Sequence, residues 1–344
     1  MKTKQLWTLL IILAVLGAGT FLRQTQKPAK LSLQENIPLN LSFTEDQIKK
    51  IIIERTWEEH EGVKPSQKVE LIKKNQGWEL PGFFNARVNS QKVTEFFRQI
   101  RDAQGEQRTK GKQFFRDFEI GDTGSFRVTL YSENQKPSLE FFLGLKTASG
   151  SYFIRKKDSD AVYLTQTNFF AQMGIYGEPG KDNLFPEKWA ATDFLAVDSG
   201  KVRSIEIKIW GNKGRETVKA GLEIKDGKWH YENSSLKGAV SDQKVKDFLS
   251  GMATWTAEKV LPQGAKDFSK PLWQMTVFFN SGESKTFKAA DKDEKTGAIY
   301  FQVSGDGAAY QVSKYYFDNM DKDDAYFAED KPAAAVSSAS SAKK

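Results

Sequence analysis

A chain of 344 residues with 39% hydrophobic and 12% aromatic content has room for two domains with packed cores, which excludes a chain disordered throughout. The formal charge of +7 lies on the ends: residues 1–30 contribute +5 and residues 331–344 contribute +3, leaving −1 for residues 31–330. A body of that charge is not a nucleic-acid surface, and the absence of cysteine removes disulfides, thiolate metal sites, thiol nucleophiles and a lipid-modified cysteine anchor.

Residues 6–22 read LWTLLIILAVLGAGTFL, without a charge, behind Lys2 and Lys4 and ahead of Arg23. Crossing hydrocarbon as a helix takes roughly 17–25 apolar residues. The run therefore predicts one transmembrane anchor in residues 1–23, its apolar surface made by Leu6, Trp7, Leu9, Leu10, Ile11, Ile12, Leu13, Val15, Leu16, Phe21 and Leu22. A cleaved signal peptide is the competing reading, with Gly17-Ala18-Gly19 as its small-residue site, but a clear Ala-x-Ala pattern is missing. The short amino-terminal tail and the long polar body favour export of the body. Residues 24–40 are polar, carry Pro28 and Pro38, and predict a tether.

The body resembles itself. Residues 47–53 align with 201–207, and residues 69–73 with Gly77-Trp78 align with 222–226 and Gly227 to Trp229. Both stretches predict a hairpin: alternating apolar residues, a turn with glycine, and an aromatic on the returning strand. A helix follows in each half. Val93, Phe96, Phe97 and Ile100 share one face, as do Val245, Phe248, Leu249 and Met252, with Asn89 and Ser241 placed as caps. Alternating Phe126, Val128 and Leu130 match Trp273, Met275 and Val277, and residues 150–170 align without a gap on 297–317. The elements keep their order but lack regular βαβ alternation. That predicts an α+β fold: a tandem duplication of an antiparallel-sheet-plus-helix module behind one N-terminal transmembrane helix. The repeats run over 41–176 and 194–328. Residues 177–193 link them, punctuated by Gly177-Glu178-Pro179-Gly180, and the Ala-, Ser- and Lys-rich tail at 329–344 predicts disorder.

Chemistry-bearing motifs are sparse. His60, in Trp57-Glu58-Glu59-His60-Glu61, has no second histidine at ligand spacing and reads as a solvated acidic turn. His230 alternates with Trp229 on a predicted strand and reads as a surface residue. Residues 291–302 begin like a calcium loop, but Thr296 stands where Gly is needed and Gln302 where a bidentate Glu is needed. Gly144-Leu145-Lys146-Thr147 and Gly121-Asp122-Thr123-Gly124-Ser125 lack the GxxxxGK[ST] spacing of a phosphate loop and read as turns. No catalytic residue, metal or cofactor is predicted. One segment stands out as a contact patch: Arg108, Lys110, Lys112 and Arg116 interleaved with Phe114 and Phe115, suited to an anionic headgroup or an acidic partner. Its structural alternative is a loop whose two phenylalanines pack on the sheet while the cations face water.

Beyond these motifs, the hairpin ending in Gly-Trp, the helix, and the run Leu143-Gly144, Lys146-Thr147, Gly150, Tyr152-Phe153, Arg155, Val162-Tyr163 resemble the bacterial domain of unknown function 4340 family. Phe194-Leu195 with Asp198, leading into Val202 and Ile205, resembles the start of that family's second unit, so the resemblance takes in nearly the whole body. It implies a single anchor in the bacterial inner membrane, an extracytoplasmic (periplasmic) body, and an accessory role beside ABC-type transport systems of the gliding-motility kind. It implies no catalytic residues. In the second copy Ala289-Ala290 replaces Leu-Gly and Phe301-Gln302 replaces the Ile-Arg pair, so a role tied to those positions belongs to the first copy. The combined expectation is a membrane-anchored binding or scaffold protein with a protein partner in the envelope. The alternatives are an envelope hydrolase with a cleft between the repeats and a carrier with an enclosed apolar cavity.

Overall fold

The computed structural model describes residues 36–55, 67–75, 77–133, 135–147, 150–176, 184–210, 215–234, 236–290, 292 and 295–330. The expected anchor at 6–22, most of the tether, His60, the punctuation at 177–180, the acids Asp291, Asp293 and Glu294, and the tail beyond 330 lie outside them. Among the described residues no helix is long and apolar enough to cross a membrane.

The first half builds β1 (Ile37–Pro38), β2 (Ile48–Arg55), β3 (Gln67–Lys74), β4 (Gly77–Leu80), β5 (Ala86–Arg87), α1 (Ser90–Asp102), β6 (Gln104–Lys110), β7 (Phe126–Ser132), β8 (Pro137–Lys146), β9 (Tyr152–Lys156), β10 (Ala161–Thr165) and α2 (Phe169–Gln172). The second builds β11 (Val202–Trp210), β12 (Glu216–Lys225), β13 (Lys228–Tyr231), α3 (Asp242–Met252), β14 (Lys259–Pro262), β15 (Trp273–Phe279), β16 (Ser284–Ala289), β17 (Ile299–Val303), β18 (Ala308–Val312), α4 (Lys314–Met320) and α5 (Asp324–Phe327). Two antiparallel sheets result, so the fold is α+β. The first runs β1-β6-β10-β9-β8-β7-β2-β3-β4-β5 and the second β13-β12-β11-β15-β16-β17-β18-β14. Counted from the β4 and β13 sides, the two orders are the same through eight strands.

Local chemistry explains the elements. Asp226 and Gly227, at φ 52° and 78°, close β12 onto β13 through a two-residue turn that requires left-handed backbone. Asn89 and Ser241 side chains accept from the amides of Lys92 and Lys244 and start α1 and α3. The buried faces of both helices are the four-residue apolar stripes that the spacing predicts. Those stripes join Ile51, Ile53, Val128 and Leu130, and Ile205, Ile207, Met275 and Val277, in a continuous core. Within the segment read as a linker, Trp189 is fully buried edge-on to Phe96, 5.4 Å between centroids, and Ala190 bridges Val88. Phe327 stands in the same relation to Phe248, and Ala328 to Val240.

The strand order forces one long crossing. β6 follows α1 but pairs with β10, whereas the next strand, β7, lies beyond β9 and β8. Residues 111–125 must therefore traverse the sheet on the face away from α1. They do so over a second cluster, Ile120, Phe142 and Val162 with Phe115, Phe118 and Phe153 around it. In the second sheet, the chain between β14 and β15 makes the equivalent crossing over Phe268, Ala290 and Ala309.

Candidate functional site

The crossing segment 111–125 is pinned at its centre. Phe118 and Glu119 carry their backbone directly over Gly144, where an added Cβ would come within 2.2 Å of the Phe118 carbonyl oxygen. Arg155, on the same sheet face and only 2% exposed, holds the next residues. Its Nε donates to the Ile120 carbonyl at 2.6 Å, its Nη2 donates to the Asp122 carboxylate, and its guanidinium lies 4.2 Å and 3.9 Å from the Phe115 and Phe142 ring centroids. Buried in this way, a cation keeps its hydrogen-bonding groups satisfied and its planar faces against aromatic rings. The Asp122 carboxyl is held below the ordinary range chiefly by the Arg155 hydrogen bond. Ser125 closes the loop on itself, its hydroxyl donating to the Gly121 carbonyl.

A second buried arginine stands where β2 ends. Arg55 continues the inward row of Ile51 and Ile53 but is a cation 3% exposed. Its Nε donates to the Gly124 carbonyl at 3.0 Å, and its guanidinium lies 4.6 Å from the Phe126 ring centroid. Burial lowers its pKa from 12.5 to about 10, opposed by the negative charge of Glu119, so it remains a cation at neutral pH. Between Arg55 and the loop lies an open cleft of about 590 Å³ lined by Arg55, Lys112, Phe115, Arg116, Glu119, Gly121, Thr123 and Gly124. Among the described lining residues three are cations and one is a carboxylate. On the sheet face away from α1 opposite charges alternate: Glu54 with Arg127, then Glu140 with Arg127 at 3.8 Å and with Lys157 at 3.3 Å.

The sequence-predicted patch divides across this geometry. Lys112, Phe115 and Arg116 line the cleft. Phe115 packs on the second cluster, and Lys112 and Arg116 are exposed, which is the arrangement of the structural alternative. Phe114 is half-buried in the same loop, at the end of a short 3₁₀ turn. Arg108 and Lys110 stand on strand β6 and not on the loop; both are exposed, and Arg108 pairs with Glu106 at 3.1 Å. Arg155 figured in the sequence only as part of a motif, and Arg55 carried no signal beyond ending an apolar strand. His230 is exposed, on the opposite face of β13 from Trp229.

The second crossing is built differently. Ala290 takes the place of Gly144, its side chain buried with Phe268 and Ala309, and half-buried Gln302 takes that of Arg155. The cleft beside it, about 470 Å³, is lined by Lys266, Asp267, Lys288 and Gln302 among others. Across both halves, Glu95, Asp122, Asp198, Glu223 and Asp267 all have carboxyl pKa values displaced downward, mainly by hydrogen bonds from Arg98, Arg155, Lys201, Lys225 and Ser269 respectively. These groups are stabilised as anions, the opposite of what a general acid needs.

A family model described as a domain of unknown function (DUF4340) matches residues 78–272. The match begins in β4 and ends just before β15, so it takes in α1, the crossing segment, Gly144 and Arg155 but leaves out the last four strands of the second sheet. That is a shorter span than the resemblance read from sequence. No curated protein and no solved structure matches the chain.

Proposed function

This chain belongs to the domain-of-unknown-function 4340 family, and from that premise we propose that it is a membrane-anchored binding protein of the bacterial envelope. Residues 6–22 hold it in the inner membrane with the body outside the cytoplasm. Two tandem copies of one α+β module form that body, a reading supported by the shared order of eight strands. The chain engages an acidic protein partner, a component of an ABC-type transport system, by contact and not by bond-making. Anchoring confines both partners to one surface, so weak contacts suffice.

The observation that carries the proposal is the asymmetry between the two crossings. Only the first is clamped by a buried arginine and flanked by an exposed basic edge running from Arg108 to Arg116. A fixed loop presenting charge loses less entropy on binding than a mobile one. The test is co-purification from crosslinked membranes of the full chain and of its Lys112→Glu, Arg116→Glu double variant. A discrete partner captured by the first and lost with the second supports the proposal. Equal capture by both, or no specific capture, rejects it.

A further inference from the structure

We infer that the open edge of β6, from Glu106 to Lys110, takes up an extended acidic segment of the partner as an added strand. This rests on the acidic partner proposed above and supplies the way it is held. The two sheets have four edges, and among the described residues three of them are closed. β5 is two residues long, and the segment between the halves lies along it: Ala191 donates to the Arg87 carbonyl at 2.7 Å and Ala190 bridges Val88. On β13 the Asp242 carboxylate accepts from the Trp229 amide at 3.0 Å, taking one of the few groups that a new strand could use. β14 has four residues and ends in Pro262, which has no amide hydrogen to give. The fourth edge differs. β6 runs for seven residues without a proline, and β1 covers only Gln104 and Gly105; Asn36 already lies outside the strand. Glu106 to Lys110 remain, a stretch as long as a common strand.

Backbone alternation shows which groups this edge presents. In an antiparallel ladder successive residues turn their amide and carbonyl to opposite sides. Leu39 donates to the Ala103 carbonyl, so Ala103, Gly105 and Gln107 turn theirs toward the β1 side. Gly111 donates to the Asp160 carbonyl on the β10 side, so Lys110 turns its own outward. The two rows meet because the pairing with β10 steps from Gln107 opposite Tyr163 to Thr109 opposite Val162, leaving Arg108 as an extra residue. Gln107 and Lys110 thus offer donors and acceptors to a strand laid alongside, while Glu106 and Thr109 keep their pairing with β10.

Charge selects the strand. Arg108 and Lys110 are exposed on this edge, and Lys112 and Arg116 on the loop that follows it. Arg108 shares its charge with Glu106 of the same strand. Across neighbouring strands opposite charges attract and like charges repel. Bulges and cations are also what keep sheet edges from joining at random. Two copies of this chain joined edge to edge about a twofold axis would set these cations against one another. A strand with carboxylates at alternate positions meets them with the opposite sign, and its main chain meets Gln107 and Lys110.

The experiment repeats the membrane capture with Gln107→Pro, which removes an outward amide and no charge, and with Gln107→Ala. Capture should fall about tenfold with proline and hold the level of the unaltered chain with alanine. Proline capture equal to that of the unaltered chain, while Lys112→Glu and Arg116→Glu together abolish it, overturns strand addition and leaves the acidic partner standing. No discrete capture by the unaltered chain rejects the partner and this mode with it. Because proline can also disturb β6 itself, a second measurement uses the unaltered full chain in micelles of a neutral sugar detergent. A short synthetic peptide alternating threonine and glutamate is added, or the same peptide N-methylated throughout, which carries the same charge but cannot pair. The first should slow amide exchange at Gln107 and Lys110 about tenfold, and the second should leave it unchanged. Equal slowing by both peptides, slowing by neither, or amides already protected before peptide is added overturns the inference.

Discussion

The Arg155 guanidinium lies 3.9 Å from the centre of the Phe142 ring, on the sheet face away from the helix, where a strand side chain would ordinarily meet water or a loop. Here it meets the loop alone: the ring is its floor, and the crossing loop, through the Ile120 carbonyl and Asp122, is its partner. One buried cation thereby fixes the position of fifteen residues that have no sheet partners of their own.

Truncating that side chain tests the clamp. Arg155→Ala removes two ring contacts and the hydrogen bonds to the loop, and should cost about 2–4 kcal/mol. Arg155→Lys should recover little, because an ammonium cannot stack and fork at once. Gln302→Ala, the counterpart change in the second half, should stay within about 0.5 kcal/mol. Urea denaturation of the three variants checks all three values.

Gly144 tests the same crossing from below. An alanine Cβ there would meet backbone oxygen at 2.2 Å and 3.0 Å, from Phe118 and Glu119. Backbone cannot swing aside as a flexible side chain can, so Gly144→Ala should destabilise by about 1–3 kcal/mol and raise amide exchange in residues 115–122. Normal stability with unchanged exchange would mean that the loop does not cross where it is placed.

Trp189 and Phe327 provide a paired test of how each half is closed. Both are fully buried against the central helix of their own sheet. Replacing either by alanine should cost about 3–5 kcal/mol. Denaturation followed separately in each half should show the loss of Trp189 in the first and that of Phe327 in the second.

Stability should also rise with pH across part of the alkaline range. Lys285 is held by the Phe194 carbonyl at 3.2 Å, and burial first, then the charge of Arg87, lowers its pKa from 10.5 to about 8; Asp306 and Asp193 oppose the shift. Below about 8 the residue is protonated in both states, and folding must bury the charge. Between about 8 and 10.5 only the unfolded chain holds the extra proton, so stability grows with pH. Lys92, lowered to about 8 by burial and Lys188, adds to the same slope. Above about 10 the trend reverses, because burial and Asp306 raise the Tyr310 pKa and hold it protonated in the fold alone. Urea midpoints from pH 8 to 10 should therefore climb, and Lys285→Met should flatten the climb by the share that belongs to this residue.

Periodicity made the helices and hairpins readable in the sequence. Val93, Phe96, Phe97 and Ile100 can face one core only as a helix, and Asp226-Gly227 can close only a tight hairpin. β6 escaped the same reading because Gln104 to Lys110 contains no apolar alternation; its place beside β10 is set by pairing with Val162 and Tyr163, more than fifty residues away. The crossing of 111–125 follows from that placement and was hidden with it. The exposed half of the cleft, Lys112 to Arg116, was visible as a basic-aromatic cluster. Its buried half was not: Arg55 and Arg155 become distinctive only when tertiary packing takes them out of water.

Photocrosslinking in native membranes, from a reactive residue placed at exposed Gln113 and, for comparison, at exposed Lys246 on α3, measures contact at the loop directly. A discrete adduct to one protein from position 113, absent from position 246 and lost when Lys112 and Arg116 become glutamate, is the predicted result. Adducts of equal yield from both positions, or none from 113 in membranes that retain the chain, would contradict it.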